Sequence, residues 1–425
     1  MKTISNKILL LILAILLLTA RHTKAQNGRG SAWVHGLGAD GTSWTKWHDL
    51  FIAERRLNDR TSTRNYTTSA GVANMALQIR SSYLFQPDNQ AIYFGHSMGG
   101  VAGRHIDVNN NGNFGGFVTF GSPLDGASIA NSLASGQASG YISQGVDKVT
   151  RGPIRELGTV FYLIWDLAVL DVINNRIDRA VRNMFGDNQG VTDLAEGSTY
   201  LNSSIKNTQT STPKIQIYGN EEGPVLWHLV SSAANEGSNY ADDSKFVNWT
   251  STAGDVYNGM MWVNIAQAAS SGWWSFGIGA IYHSWVANGW AEGRDWFRYD
   301  SENGWNGLIG ASTAASKQIC YEIIVENPGC LNDYYTFGFI DDVSICYGPS
   351  LYCYTYYSPI NGQSDGFIKA PSQTGYNSDW SNNATKIEAL GVNHLEMLGN
   401  DKVAIIFRRI FDNEVGSPFF QTDKR

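Results

Sequence analysis

The chain has no apolar run beyond its first residues that reaches the ~20 residues needed to span a bilayer, so no transmembrane anchor is expected. The one long run, Ile8 to Leu18, follows Lys2 and Lys7 and precedes Thr23-Lys24-Ala25. A basic start, a short apolar centre and a small-residue exit read as a cleaved secretory signal over residues 1–25, and predict a secreted or periplasmic protein. Clustered basic charge is lacking too. Removing the signal takes four of the 31 Lys and Arg residues, leaving 27 against 38 Asp and Glu and a net charge of −11. Such a surface argues against nucleic-acid partners. No Pro- or Ser-rich linker divides the chain, although its length would accommodate two domains. One catalytic domain carrying large insertions is the simpler reading.

Cysteine is scarce and local: Cys320, Cys330, Cys346 and Cys353 all fall in one short stretch. In an oxidising compartment two disulfides are expected, with three connectivities open and sequential pairing the simplest. A zinc site is the rival, but no short C-x-x-C pair occurs. Aromatics, by contrast, are concentrated. Nine of the fourteen tryptophans lie between Trp227 and Trp305. They read first as the packing of an accessory subdomain, with an aromatic wall for substrate as the sharper alternative.

The most informative segment is Tyr93-Phe94-Gly95-His96-Ser97-Met98-Gly99-Gly100. A serine two residues from a glycine on either side, directly after the apolar run Ala91 to Phe94, is the G-x-S-x-G pattern of a strand that turns sharply into a helix. The glycines leave room for the chain to pass itself, and the serine Oγ is presented at the turn. Small residues follow, then the apolar run Phe117 to Phe120, completing a β-turn-α-β unit. Further strands are expected at Ala32 to His35 and Lys214 to Tyr218, and helices over Trp47 to Leu57 and Val72 to Phe85. Alternating β and α elements predict a doubly wound, mostly parallel sheet. Residues 129–204, with the apolar stretch Phe161 to Ile173, suit helices over the sheet and a lid.

A serine hydroxyl is a poor nucleophile near neutral pH, so a histidine must take its proton and a carboxylate must orient that histidine. In chain order the acid follows the serine and the histidine comes last. His394, in Gly391-Val392-Asn393-His394, fits that place; His228 and His283 satisfy the order but sit in the Trp-rich segment. Asp365, in Ser364-Asp365-Gly366, occupies a turn suited to presenting a side chain, with Glu221, Glu222, Asp341 and Asp342 as rivals. Oxyanion donors are expected at the amides of Met98, after the nucleophile, and Leu37, in the loop His35-Gly36-Leu37-Gly38. Asp107-Val108-Asn109 starts like a calcium loop but has Val118 where the bidentate glutamate belongs, and reads as an Asn-rich turn.

Taken in order, Val34 to Gly38, Gly95 to Gly100, Val118 to Gly126, Asp193 to Ser198, Ser364 to Phe367 and Asn393 to Glu396 resemble the secreted bacterial triacylglycerol lipases of the α/β-hydrolase superfamily and their lipase-like relatives, which include deacylases of lipid anchors. The resemblance covers the catalytic core, about half the chain. It implies an α/β-hydrolase fold with core segments at residues 26–220 and 356–425, interrupted by the Trp-rich, Cys-containing insertion 221–355. It implies Ser97 as nucleophile, Asp365 as acid, His394 as base, and Leu37 and Met98 as oxyanion donors. The partner would be an ester or lipid substrate, with transient contact at a lipid interface. No cofactor is expected; many such enzymes hold a structural calcium near the histidine loop, but its ligands find no match here. The same triad also serves amidases, thioesterases and acyltransferases, and a hydrolase-like binding protein is the non-catalytic alternative.

Overall fold

The structure, a computed structural model, describes residues 29–422 apart from 58–61, 64, 83–89, 110–113, 158–188, 204, 222–224, 235–242, 272–277, 312, 327–346 and 360–361. The signal segment and the apolar stretch Phe161 to Ile173 therefore lie outside the described residues, as do Glu222, Asp341 and Asp342. In chain order the first half comprises β1 (Ser31–Val34), α1 (Thr45–Ala53), β2 (Ser62–Thr63), α2 (Val72–Ser82), β3 (Ile92–His96), α3 (Met98–Val108), β4 (Gly116–Phe120), α4 (Ser128–Ala134), α5 (Gln137–Leu157), α6 (Gln189–Leu194) and β5 (Lys214–Asn220). The second half comprises α7 (Val225–Ala234), α8 (Asp243–Ser271), α9 (Ile278–Asp295), a π-helical turn (Trp296–Asp300), α10 (Ser301–Leu308), β6 (Thr313–Glu326), β7 (Tyr347–Pro359), β8 (Thr385–Leu390) and α11 (Asp401–Phe411).

Six strands form one sheet in the order β2-β1-β3-β4-β5-β8, every neighbouring pair parallel. Strands buried on both faces alternate between two cores, because successive side chains point to opposite sides. Trp33, Phe94, Val118, Phe120 and Ile217 pack on one side with Trp47 and Phe51 of α1 and Phe407 and Phe411 of α11. Tyr93 and Phe117 face the other way, with Met75 and Ile79 of α2 and Val101 and Ile106 of α3. The spacing of Val403, Phe407, Ile410 and Phe411 along α11 is the one-sided stripe that docks a helix on a sheet.

Two boundaries differ from expectation. The helix expected to reach Leu57 ends at Ala53, because Arg55 takes a left-handed φ of 58° and turns the chain. Strand β8, with exposed residues alternating along its length, carries too weak an apolar signal to be read from sequence.

The segment between β5 and β8 holds α7 to α10 and the antiparallel hairpin of β6 and β7. Its helices pack closely against α5 through small residues: a Cβ on Gly152 would meet the Trp290 ring at 2.7 Å, and one on Gly289 would meet the Gly152 nitrogen at 2.9 Å. Trp227, Trp290, Trp296 and Trp305 are buried, so much of the tryptophan concentration is indeed packing. In the hairpin the register sets Cys320 opposite Cys353. Cys330 and Cys346 lie outside the described residues.

Candidate active site

The order of the sheet reverses between β1 and β3, since β2 lies on one side of β1 and β3 on the other. Crevices beyond the carboxyl ends of strands at such a reversal are where open α/β sheets bind ligands. Two loops meet at this place. The β1 loop enters through Gly36, where an added Cβ would stand 2.7 Å from the Ser97 Cβ, and β3 ends at His96 with Ser97 directly after it. Close approach of this kind requires a residue without a side chain.

Ser97 has φ 53° and ψ −127°, a conformation that costs a non-glycine residue about 1–3 kcal/mol. The surrounding chain imposes it. Ser97 N–H donates to Phe120 O of β4 at 2.9 Å. Cβ atoms on Gly95 and Gly99 would approach the Gly100 nitrogen at 2.7 Å and Val34 O at 2.5 Å. The strained residue caps α3, so the Met98 amide belongs to a first helical turn, whose N–H groups have no intrahelical acceptor.

Asp365 and His394 are joined twice. His394 Nδ1 bonds Asp365 Oδ2 at 2.7 Å, and the His394 amide donates to Asp365 O at 2.7 Å. Both side chains are fully buried. The other carboxylate oxygen, Asp365 Oδ1, accepts from the amides of Phe367 and Ile368 at 3.0 and 2.8 Å. The acid loop is docked on the end of β5, where Glu221 N–H donates to Ser364 O at 2.7 Å. Gly219 makes room for it, since a Cβ there would lie 2.6 Å from the Asp365 Cβ. The histidine loop follows β8 through Gly391 at φ 65°, and Asn393 Oδ1 caps the amides of Leu395 and Glu396.

The pair and the serine come together through two intermediaries. Gly121, next to the Phe120 carbonyl that holds Ser97, lies so close to the pair that a Cβ would stand 3.0 Å from His394 Nδ1 and 2.8 Å from Asp365 Oδ2. His96, the residue before Ser97, has its ring 4.5 Å from the His394 ring, and its Nε2–H donates to His394 O at 3.0 Å. Burial first, and then the neighbouring His394, hold the His96 imidazole well below its usual pKa, so it is neutral. Sequence reading missed this residue, because the position between glycine and serine carries no chemical signature of its own.

Leu37 is buried in the β1 loop beside Gly36 and so lies on the serine side of the crevice with Met98. His35 stacks on Tyr66 at 4.1 Å and its Nδ1–H donates to Gly36 O at 2.9 Å, which holds the loop. Of the rival acids, Glu221 bonds His228 of α7 at 2.9 Å, not His394. His283 reaches Asn264 Oδ1 at 3.3 Å. Asp193, in another of the matched segments, caps α2 by accepting from Val72 N at 2.8 Å. Asp107 accepts from Thr212 at 2.7 Å on Oδ1 and from Trp380 Nε1 at 2.7 Å on Oδ2. Among the described residues no group of three or more His, Cys, Asp and Glu side chains is placed to hold a metal ion.

The Trp-rich insertion supports the acid loop directly. Trp305 Nε1–H donates to Gly366 O at 2.8 Å, its ring meets Phe367 edge-on at 5.7 Å, and Phe367 in turn meets His394 at 5.5 Å. From α7, Leu229 fills the space beside Gly366, and Ser232 Oγ accepts from Asn393 Nδ2 at 2.7 Å.

A parallel, doubly wound sheet with a strained serine between β3 and α3, and an acid and a histidine delivered to the same edge by later loops, is the α/β-hydrolase fold. No protein-family model matches the chain, and no curated protein does. Among solved structures it is similar to an extracellular α/β-hydrolase from a Paenibacillus species, at 17% identity and a TM-score of 0.27 over 45% of this chain and 77% of that one. It is also similar to a thermophilic esterase from Thermogutta terrifontis, at 14% identity and a TM-score of 0.27 over 49% and 78% of the two chains. A putative non-heme bromoperoxidase from Mycobacterium tuberculosis matches at 19% identity and a TM-score of 0.27 over 48% and 80%. These likenesses are too distant to bear on activity, and the fold rests on the topology itself.

Proposed function

We propose that the protein is a serine hydrolase of carboxylic esters with hydrophobic acyl groups, acting through an acyl-enzyme and outside the cytoplasm. The observation that carries this reading is the strained Ser97 at a glycine-lined turn, beside a buried Asp365–His394 pair whose carboxylate is fixed by two backbone amides.

In this reading His394 Nδ1–H donates to Asp365 Oδ2, which leaves Nε2 as the base. Nε2 takes the Ser97 hydroxyl proton as Oγ bonds to the ester carbonyl carbon. The carbonyl oxygen becomes an oxyanion, stabilised by the amides of Met98 and Leu37. Collapse of the tetrahedral species expels the alcohol, which leaves with the proton from His394. Water then repeats the sequence on the acyl-serine, giving the carboxylic acid and restoring Ser97. The low exposure of Ser97, 8%, and the aromatic surroundings of His394 favour a substrate that brings an apolar acyl chain into a dry site.

Ser97→Ala tests the assignment, since alanine offers no nucleophile. Turnover of p-nitrophenyl esters should vanish, and a fluorophosphonate probe should label the parent and not the variant. Emulsified triglyceride, assayed beside the p-nitrophenyl series of rising chain length, defines the acyl preference. Labelling that persists in the alanine variant overturns the reading.

A further inference from the structure

Strand β5 outlasts its neighbour. Its pairing with β4 ends where Phe120 meets Ile217, while on the other side it stays paired with β8 as far as Asn220. Ile217 O faces β4 and accepts from Gly121 N–H at 3.0 Å. Backbone groups two residues apart on a strand point the same way, so Gly219 turns its N–H and its carbonyl toward the space that β4 has left. Buried backbone groups are almost always paired. The Gln373 side chain pairs both: Oε1 accepts from Gly219 N–H at 2.8 Å, and Nε2–H donates to Gly219 O at 3.3 Å. A primary amide carries the donor and the acceptor of a peptide group, and here it stands in for the missing strand.

The amide has one more hydrogen, which Nε2 donates to Ile368 O at 2.7 Å. Ile368 is bound to the acid at both its backbone groups. Its N–H donates to Asp365 Oδ1 at 2.8 Å, and its carbonyl accepts from Asp365 N–H at 3.2 Å. Gly219 borders the acid as well, since a Cβ there would lie 2.6 Å from the Asp365 Cβ. All three bonds of one amide therefore go to the two residues against which Asp365 is seated. Their partners also settle which way the amide faces. Turned over, it would set its NH₂ against Gly219 N–H and its oxygen against Ile368 O.

Gln373 is itself firmly placed. It is fully buried and ends the short helical turn Ala370–Gln373. Ser372 in that turn donates through Oγ to Gly126 O and accepts at its carbonyl from Leu124 N–H at 3.1 Å, which fastens the turn to the loop after β4. Ala370 N–H donates to Gln363 O at 2.7 Å and closes the base of the acid loop. Three segments thus meet through one side chain and its turn: the end of β5, the acid loop and the loop after β4.

We propose that Gln373 is a positioning residue for Asp365: its amide ties the acid loop to the open end of β5 and so fixes the direction in which the carboxylate meets His394. It touches no reacting atom and acts through Gly219 and Ile368. Its effect on turnover rests on the ester-hydrolase reading; its effect on the Asp365–His394 geometry does not.

Two substitutions in the full-length protein test this. Gln373→Leu removes all three bonds. Gln373→Glu is nearly isosteric: protonated, the introduced carboxyl still offers one O–H to Ile368 O and one oxygen to Gly219 N–H, and ionised it has no donor. Lys369, one turn earlier, is engaged with Glu196 at 3.0 Å. In Gln373→Leu, kcat on p-nitrophenyl acetate should fall on the order of 10²-fold, as for a catalytic group displaced by about 1 Å, with KM within about threefold of the parent. Relative to the parent, Gln373→Glu should recover most of kcat near about pH 6 and lose it toward about pH 9, because burial beside the Asp365 carboxylate raises the pKa of the introduced group into that interval. All rates are taken well below the melting temperatures.

A second readout needs no turnover. The His394 Nδ1 proton, bonded to Asp365 Oδ2, gives a downfield NMR signal that reports the contact directly. It should move or vanish in Gln373→Leu and return in Gln373→Glu at about pH 6. If Gln373→Leu fails to fold, the pH dependence of Gln373→Glu carries the test. Parental kcat with an unmoved proton signal in Gln373→Leu overturns the proposal. So does a Gln373→Glu deficit of equal size at both pH values, the mark of a glutamine that serves stability alone. A parent that hydrolyses no ester and takes no fluorophosphonate at Ser97 sinks the ester-hydrolase reading, and the proton signal then still decides the part played by Gln373.

Discussion

Asp365–His394 and Glu221–His228 are both short acid–imidazole contacts, 2.7 and 2.9 Å, and both lie close to the C-terminal end of β5, yet they are held in different ways. Glu221 and His228 are seven residues apart, and their contact is a local one between the end of a strand and the helix that follows it. Asp365 and His394 arrive from separate loops. Their backbones bond as well as their side chains, two amides fix the far carboxylate oxygen, and the imidazole ring sits against the residue before Ser97. The lesson is that proximity of a carboxylate to a histidine is common chemistry. What sets one pair apart is an orientation fixed from several directions and a seat beside the strained Ser97.

The comparison can be broken directly. Asp365→Asn should lower kcat on soluble esters by roughly 10³ to 10⁴, because an amide in that place favours the wrong histidine tautomer. Glu221→Gln, which disturbs the other pair, should leave kcat within about threefold of the parent, as a change to the surroundings rather than to the reacting atoms. Steady-state kinetics on the two variants decide the matter. A reversal of these effects would assign the acid to Glu221.

A smaller loss is expected where the seat, rather than the acid, is altered. In Gly219→Ala the new Cβ would lie 2.6 Å from the Asp365 Cβ and 2.6 Å from Val392 O, so the acid loop must shift. Displacing a catalytic group by about 1 Å costs on the order of 10²-fold. The expected signature is a fall in kcat with fluorophosphonate labelling of Ser97 slowed but present. Activity within a few-fold of the parent would show that the loop tolerates the displacement.

The turn at Ser97 and the sheet were legible because their signals are local: Gly95, Ser97 and Gly99 lie in one turn, β1, β3 and β4 read as apolar runs, and β5 alternates apolar with polar residues. The seat of the acid was not, because it is built from residues far apart in the chain. Gly219, Gly121 and Trp305 converge on the loop 364–368 from a strand end, a turn and a helix, and no spacing in the sequence reports such a meeting. Strand β8 escaped notice for a different reason. It lies at the edge of the sheet and alternates with exposed side chains, so its apolar content is low.

Trp305 separates packing from positioning. In Trp305→Phe the aromatic contact with Phe367 is largely retained and the bond from Nε1 to Gly366 O is lost. One buried hydrogen bond is worth about 1 kcal/mol, so kcat should fall by about five- to tenfold if the loop depends on it. KM should be little changed, because the residue acts through Asp365 and touches no substrate. Retention of full kcat with only a lowered melting temperature would make Trp305 a packing residue.

The smallest expected effect sharpens the same contrast through pH. Glu302 of α10 is buried, accepts from Leu226 N at 3.0 Å and from Trp227 N at 3.3 Å, and lies near His228. Burial outweighs these donors and raises its carboxyl pKa from 4.5 to about 8. Other ionisable groups face it as well: Tyr141, whose hydroxyl donates to Ser301 O at 2.5 Å, and Asp300 both share its field. A folded pKa raised above the unfolded one means that the folded chain holds a proton that the unfolded chain has released. The stabilising contribution is therefore complete below about 4.5 and is lost as pH rises toward about 8. The slope has an upper limit of about 1.4 kcal/mol per pH unit. Glu302→Gln keeps an acceptor for the two amides and removes the titration. Urea unfolding of parent and variant should show parent stability falling between pH 5 and pH 8 relative to the variant, an interval inside the window set by 4.5 and about 8. Ester turnover at a single pH should scarcely differ, since Glu302 reaches the acid loop only through α7 and α10. Parallel stability curves across that interval would show that Glu302 is ionised in the folded protein.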